Sequence, residues 1–274
     1  MAQAFTAKLN VHDSYPKHSG VLKFGKVELN EGKGYSPETG IFTCPTDGLY
    51  LFMVHITVYG EGQSVLVKNG ENVASLHHTN QPDQLSYNSS QVATMSSVIK
   101  LARKDEVWVN LWDHLHVRII QDVVLAGRAM SLEPGRGDSV SPSGTVAFTA
   151  KLNACDSYPS HSGVLKFANV LVNEGDGYSA DTGLFTCPVD GFYYFSVHAS
   201  VYGRGQCAIF KNKEKVVSLY HTTLPEKCSQ VASMSSVIKL AKKDIVSVNI
   251  WGSGKNDIFA TEDNDTVFAG VLLG

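Results

Sequence analysis

The sequence predicts an all-β protein built as two tandem sandwiches, and three observations carry that expectation. One stretch of strand and turn residues occurs twice, far apart in the chain. Apolar residues alternate with polar ones in short runs, and no stretch shows convincing helical periodicity. Gly, Asn, Asp and Pro break those runs at roughly the 8–12-residue spacing of sandwich strands.

The repeated stretch reads Y-S-P-E-T-G-I-F-T-C-P-T-D-G-L-Y-L-F from Tyr35 to Phe52. It returns as Y-S-A-D-T-G-L-F-T-C-P-V-D-G-F-Y-Y-F from Tyr178 to Phe195. A Gly-bounded turn leads to a short strand around Phe42 or Phe185. A Cys-Pro step and an Asp-Gly pair (Asp47-Gly48, Asp190-Gly191) follow. Asp-Gly between strand-like residues predicts a tight turn in which Gly accepts a positive φ. The next strand places aromatic residues on alternate positions, so Tyr50, Phe52, Val54, Ile56 and Val58 are expected in a core.

The duplication runs much further. Ala4 to Asn10 recurs unchanged as Ala147 to Asn153, Asp13 to Pro16 as Asp156 to Pro159, and Val21 to Phe24 as Val164 to Phe167. Val54-His55 recurs as Val197-His198, and Met95 to Leu101 recurs from Met234. A whole domain has been copied, not a short solenoid unit. A chain of 274 residues suits two domains of about 130 each. The expected division is a first domain at 1–127, a Gly/Ser/Pro linker at 128–145 and a second domain at 146–274.

Composition excludes several classes. Hydrophobic residues make up 43% and charged residues 18%, which is globular. A net charge of −3 without a basic block excludes nucleic-acid binding dominated by phosphate contacts. No run of about 18 apolar residues predicts a membrane span. No Gly-x-Ser-x-Gly elbow, phosphate loop or His-Glu-x-x-His occurs, so no enzyme is expected.

In each half these residues resemble the globular domain of the complement C1q family. The resemblance rests on Phe5, Phe24, Asn30 and Tyr35; on Thr39-Gly40-x-Phe42-x-Cys44-Pro45; on Gly48-x-Tyr50-x-Phe52; on Lys68-Asn69; on Ile99-x-Leu101 with Asp105-x-Val107; and on Leu125-Ala126-Gly127. The second half matches as well and ends Phe268-Ala269-Gly270-Val271-Leu272-Leu273. The resemblance implies two tandem C1q/TNF-like jelly-roll β-sandwiches, secretion with a leader already removed, and homotrimers in which Leu51, Met53, His55 and Thr57 face neighbours. The chain has no Gly-X-Y collagen stem, so it is similar to the stemless secreted members found in invertebrates. These act as lectin-like recognition proteins or as matrix proteins.

Of five cysteines, Cys187 and Cys207 flank one strand and resemble the intradomain disulfide of some family members. Cys155 and Cys228 are a possible second pair, since connectivity is not readable from spacing. Ser64 stands where the first half would need a partner for Cys44, which is therefore expected as a buried free thiol.

Candidate sites each have a bland counterpart. Arg136-Gly137-Asp138 in the linker has the form of an integrin attachment motif, or is a chance tripeptide. His55 and His198 either bind metal or switch with pH on a trimer axis, or are ordinary hydrogen-bonded interface histidines. Asp257, Glu262, Asp263 and Asp265 form an oxygen-rich loop that suits calcium, or a solvated acidic loop. Tyr15 and His18, repeated as Tyr158 and His161, suit sugar stacking and hydroxyl bonds, or a turn retained since duplication. Asn88-Ser89-Ser90 and Asn264-Asp265-Thr266 are glycosylation sequons. The resulting expectation is a secreted recognition protein for glycans or microbial surface molecules. The alternative is a matrix or adhesion protein using the linker motif and bound calcium.

Overall fold

A computed structural model describes residues 4–9, 19–59, 62–78, 90–111, 118–130, 145–154, 161–222, 229–251, 256–263 and 265–273. The first repeat comprises β1 (Ala4–Lys8), β2 (Gly20–Val21), β3 (Lys26–Glu31), β4 (Tyr35–Ser36), β5 (Ile41–Thr43), β6 (Gly48–Tyr59), β7 (Gly62–Lys68), β8 (Glu71–His78), β9 (Ser90–Leu101), β10 (Glu106–Leu111) and β11 (Arg118–Met130). The second comprises β12 (Ala147–Lys151), β13 (Asn169–Glu174), β14 (Tyr178–Ser179), β15 (Leu184–Thr186), β16 (Gly191–Tyr202), β17 (Arg204–Lys211), β18 (Glu214–Thr222), β19 (Ser229–Leu240), β20 (Ile245–Ile250), β21 (Ile258–Phe259) and β22 (Val267–Leu272). All described elements are strands, paired antiparallel. Each repeat is a two-sheet jelly roll, as expected.

In the first repeat one sheet runs β3-β1-β11-β6-β9 and the other β8-β7-β10-β5-β4. The second repeat has β13-β12-β22-β16-β19 and β14-β15-β20-β17-β18. Strand β11 continues to Met130 opposite Leu49, so pairing extends into the expected linker. One bridge, Gln230 to His78, joins β19 to β8 and links sheets of the two repeats.

One tyrosine anchors the start of the repeated stretch. Tyr35 Oη accepts from Phe24 N at 3.0 Å and donates to Phe24 O at 3.3 Å. Asn30 holds the Tyr35 backbone from both sides, at 2.8 and 3.1 Å. Burial pushes the phenol up to about 12, against the opposing effect of the Phe24 hydrogen bond. Tyr178, Phe167 and Asn173 repeat this arrangement. The Tyr35 ring stacks on Phe5 (5.0 Å), which stacks on Phe42 (5.1 Å), and Phe42 meets Phe52 edge-on (5.5 Å). Offset and edge-on pairs suit the aromatic quadrupole. Gly40 explains the Thr-Gly pair: its φ is +78°, and a Cβ there would lie 2.7 Å from Leu22 O. Gly270 is needed for space instead, because a Cβ would strike the Phe148 and Phe195 rings at 2.5–2.6 Å.

Two expectations need correction. Gly48 and Gly191 are not among the residues at positive φ. The Asp-Gly pair does not form a primed turn; Gly opens the strand, and the Asp reaches across the sheet end. Asp47 Oδ1 accepts Arg103 N and Asp190 Oδ1 accepts Lys242 N, both at 2.6 Å. The expected Cys187–Cys207 disulfide is also absent. Both are free thiols, as is Cys44. Cys187 Sγ donates to Val189 O at 3.0 Å, the bond Cys44 makes to Thr46 O. Cys207 is sealed in the core, where burial pushes its thiol up to about 12. Cys155 and Cys228 lie outside the described residues.

The left-handed turn falls elsewhere. Asn69 (φ 48°) and Gly70 (φ 90°) join β7 to β8, a primed hairpin turn. The second repeat has Asn212 (φ 48°) and Lys213 (φ 74°), so a lysine sits where glycine is at ease. Lys213→Gly should therefore stabilise the protein by about 1 kcal/mol, a rise of about 2–4 °C in thermal melting. Gly70→Lys should lower the melting temperature. Equal melting of Lys213→Gly and the parent chain would contradict the strain.

Candidate functional site

Strand β9 ends its sheet, so its outer backbone groups need partners once covered. Side chains of the second repeat supply them. Val98 N donates to Thr149 Oγ1 (3.2 Å), which donates to Val98 O (2.8 Å). Ser96 N donates to His198 Nε2 (2.5 Å), and Ser233 Oγ donates to Thr94 O (2.6 Å). Ser96 Oγ donates to Ser196 Oγ at 2.7 Å. Beside this row an apolar cluster forms from Leu49, Leu51 and Val98 with Ala147 and Val271. The covering is one-sided. Val98 is 1% exposed, whereas Val237, at the same place in the second repeat, is 56% exposed.

His198 joins both sides of this seam. A backbone N–H only donates, so Nε2 must accept from Ser96. Nδ1 then carries the proton and donates to Ser233 Oγ at 2.9 Å. The ring is held neutral: burial first, and the His55 charge as a lesser cause, push it down to about 4 against the Thr94 backbone, while the Ser96 amide that donates to Nε2 is compatible only with the neutral ring. His198 is thus a hydrogen-bonded interface histidine between two domains of one chain. His55 bonds Thr94 Oγ1 through Nδ1 at 2.9 Å, and burial lowers its pKa.

The seam is closed at one end by Lys100 and Glu174 at 2.7 Å. At the other end it opens into a pocket of about 300 Å³. Gln63 and Ser75 come from the first repeat; Ser200, Ser229, Gln230, Phe259, Thr261, Asp263 and Asp265 come from the second. The acidic loop is locked in place. Asp265 Oδ1 accepts Thr261 N (2.8 Å), and Thr266 Oγ1 accepts Ser200 N (2.9 Å) and donates to Phe259 O (2.5 Å). Gln63 Nε2 reaches Asp263 Oδ2 across the seam at 3.4 Å. Ser75 Oγ is buried without a hydrogen-bond partner, in a residue 2% exposed. Its repeat counterpart Ser218 is exposed.

Of the four acidic candidates, Asp263 and Asp265 line this pocket. Asp257 instead carries a backbone bond to Arg204 O at 2.8 Å, and the Glu262 charge acts on Lys151. Among the described residues no group of three or more His, Cys, Asp or Glu comes together to hold a metal. His161 Nε2 donates to Ile258 O at 2.9 Å, and burial lowers its pKa. Tyr15, His18, Tyr158, Arg136, Gly137 and Asp138 lie outside the described residues. Sequence reasoning missed Gln63, Ser75, Ser200, Gln230 and Thr261. Only the contact between repeats gathers them, and Ser75 in particular reads like Ser218.

The duplicated two-sheet topology and the repeated Tyr, Gly and aromatic anchors define a tandem jelly-roll protein. A C1q domain profile matches residues 4–127 and again 147–273, so the chain belongs to the C1q domain family, twice over. It is 37% identical over 130 residues to human complement C1q and tumor necrosis factor-related protein 9A, covering 46% of this chain and 38% of that protein. Human complement C1q tumor necrosis factor-related protein 5 is 36% identical, covering 46% and 53%. Mouse complement C1q and tumor necrosis factor-related protein 9 is 35% identical, covering 46% and 38%. The match therefore spans about half or less of these curated relatives. Among solved structures, the globular domain of zebrafish complement 1qA is 20% identical with a TM-score of 0.40, covering 48% of this chain and 98% of that one.

His198 makes the seam pH-dependent in a defined direction. Its folded pKa lies below the unfolded value of about 6.5, so its contribution is complete above pH 6.5. That contribution is lost as pH falls toward 4, by roughly 3 kcal/mol at most. Calorimetry between pH 7.5 and 4.5 should show melting falling more steeply for the parent chain than for His198→Gln. Parallel profiles would exclude the histidine as the cause.

Proposed function

We propose that this chain is a secreted, non-enzymatic recognition protein that binds glycans or microbial surface molecules through its paired C1q domains. The observation that carries this reading is the seam. It locks two copies of one recognition domain in a fixed orientation, so each chain presents its binding surfaces in duplicate. Linked sites raise avidity by about 10² to 10⁴ where geometry permits, which compensates for weak single contacts. No helix among the described residues is long and apolar enough to cross a membrane.

Further chains extend the multivalency. The seam uses β9 of the first domain, while the corresponding β19 face keeps Val237 open, with Phe192 51% exposed nearby. Exposed apolar side chains of this kind suit a self-association surface. Homotrimers, with calcium as an accessory ion, are the assembly proposed. Light scattering should give a mass near three times 29.7 kDa, reduced toward a single chain in Val237→Glu. A chelator should loosen the assembly, and an unchanged mass in chelator overturns the role of calcium. A parent chain that stays monomeric under all conditions overturns the assembly.

The adhesion reading rests on Arg136-Gly137-Asp138 within G-R-G-D-S, where an integrin would be the partner. Asp138→Glu separates the two. Binding to glycan arrays or bacteria that survives this substitution supports recognition, and cell attachment lost with it supports adhesion.

A further inference from the structure

We infer that the pocket between the two domains binds a single neutral sugar ring at the end of a glycan. This rests on the recognition reading above and assigns it a place. Volume comes first. About 300 Å³ is at the small end of ligand sites and holds about ten waters, room for one ring of about a dozen heavy atoms.

Chemistry comes second. Hydroxyl, amide and carboxylate groups converge here, and each type pairs with a sugar hydroxyl, which both donates and accepts. Ser75 Oγ is the decisive group. A buried hydroxyl without a partner is costly, and a ligand hydroxyl would satisfy it. Asp265 places Oδ1 on the Thr261 amide, and Oδ2 has no bond among the described residues. A carboxylate oxygen of this kind accepts strongly from a hydroxyl. Phe259 gives the lining one aromatic side chain. Two carboxylates, Asp263 and Asp265, exclude sialic and uronic acids by like-charge repulsion. An apolar ligand would strand the polar groups.

The walls belong to different domains, so a bound ring bridges the seam. Ligand and seam therefore stabilise each other. The second-domain counterpart of Ser75 is the exposed Ser218, so among the described residues this pocket is not repeated, and it adds a site at the seam to the surfaces that the two domains carry in duplicate.

The test uses the full chain. Saturation-transfer NMR and titration with methyl glycosides of glucose, galactose, mannose and N-acetylglucosamine should reveal at least one binder. Its dissociation constant is expected near 1 mM, the scale set by so few ligand atoms. Ser75→Val keeps the shape and removes the hydroxyl. It should weaken binding about tenfold without lowering the melting temperature, while Ser218→Val leaves binding unchanged. Sialic acid should not bind. Undiminished binding in Ser75→Val overturns the pocket. If arrays still report glycan binding by that variant, the recognition reading survives elsewhere on the surface. No glycan binding by the parent chain overturns both. Calcium binding that Asp265→Asn abolishes, with no sugar bound, overturns the inference in favour of a cation site.

Discussion

The unpaired edge of β9 is the constraint on which the arrangement of this chain depends. Edge strands carry backbone groups that must find hydrogen bonds when water is removed. Here Thr149, His198 and Ser233 provide them, one side chain to each stretch of exposed backbone. The sheet is terminated by side chains and not by another strand. Everything above this level follows from that choice. It fixes the angle between domains, leaves the β19 face open and gathers the pocket at the far end.

The direction of packing has a chemical basis. Ser96 finds the Ser196 hydroxyl opposite it. In the first domain the position of Ser196 is held by Met53, and that of Tyr194 by Leu51. If the domains exchanged roles, Ser235 would face a thioether, a weak acceptor. The two repeats share a fold, but their outward faces have diverged enough to prefer one order. A similar divergence appears at Lys213, where a strained lysine replaces Gly70, and at Cys207, where a buried thiol replaces Ser64.

The sequence made the two sandwiches legible because period-two alternation and exact repetition are local properties. The aromatic core was legible for the same reason: Phe5, Phe42, Tyr50 and Phe52 all pack as their alternation requires. The seam was not legible. Ser96 and Ser235 are the same residue in nearly the same local sequence, and only three-dimensional contact decides which is covered. The pocket was half legible, since Asp263 and Asp265 stood out as an acidic loop. Gln63 and Ser75 carry no local signal, because their role depends on a partner domain far away in sequence. The Asp-Gly pair misled because its carboxylates serve distant amides, an interaction that no turn rule contains.

Joining the two domains in one chain also changes how the interface responds to mutation. In an assembly of identical subunits, a substitution at a shared contact is felt at every copy of that contact. In this chain Val98 and Val237 occupy matching places, yet one lies under the partner domain and the other faces outward. A change at either is felt once per chain, so the inner contact can be tuned for firmness and the outer surface for ligands. Tandem fusion has released the two faces from each other, and each is free to follow its own selection.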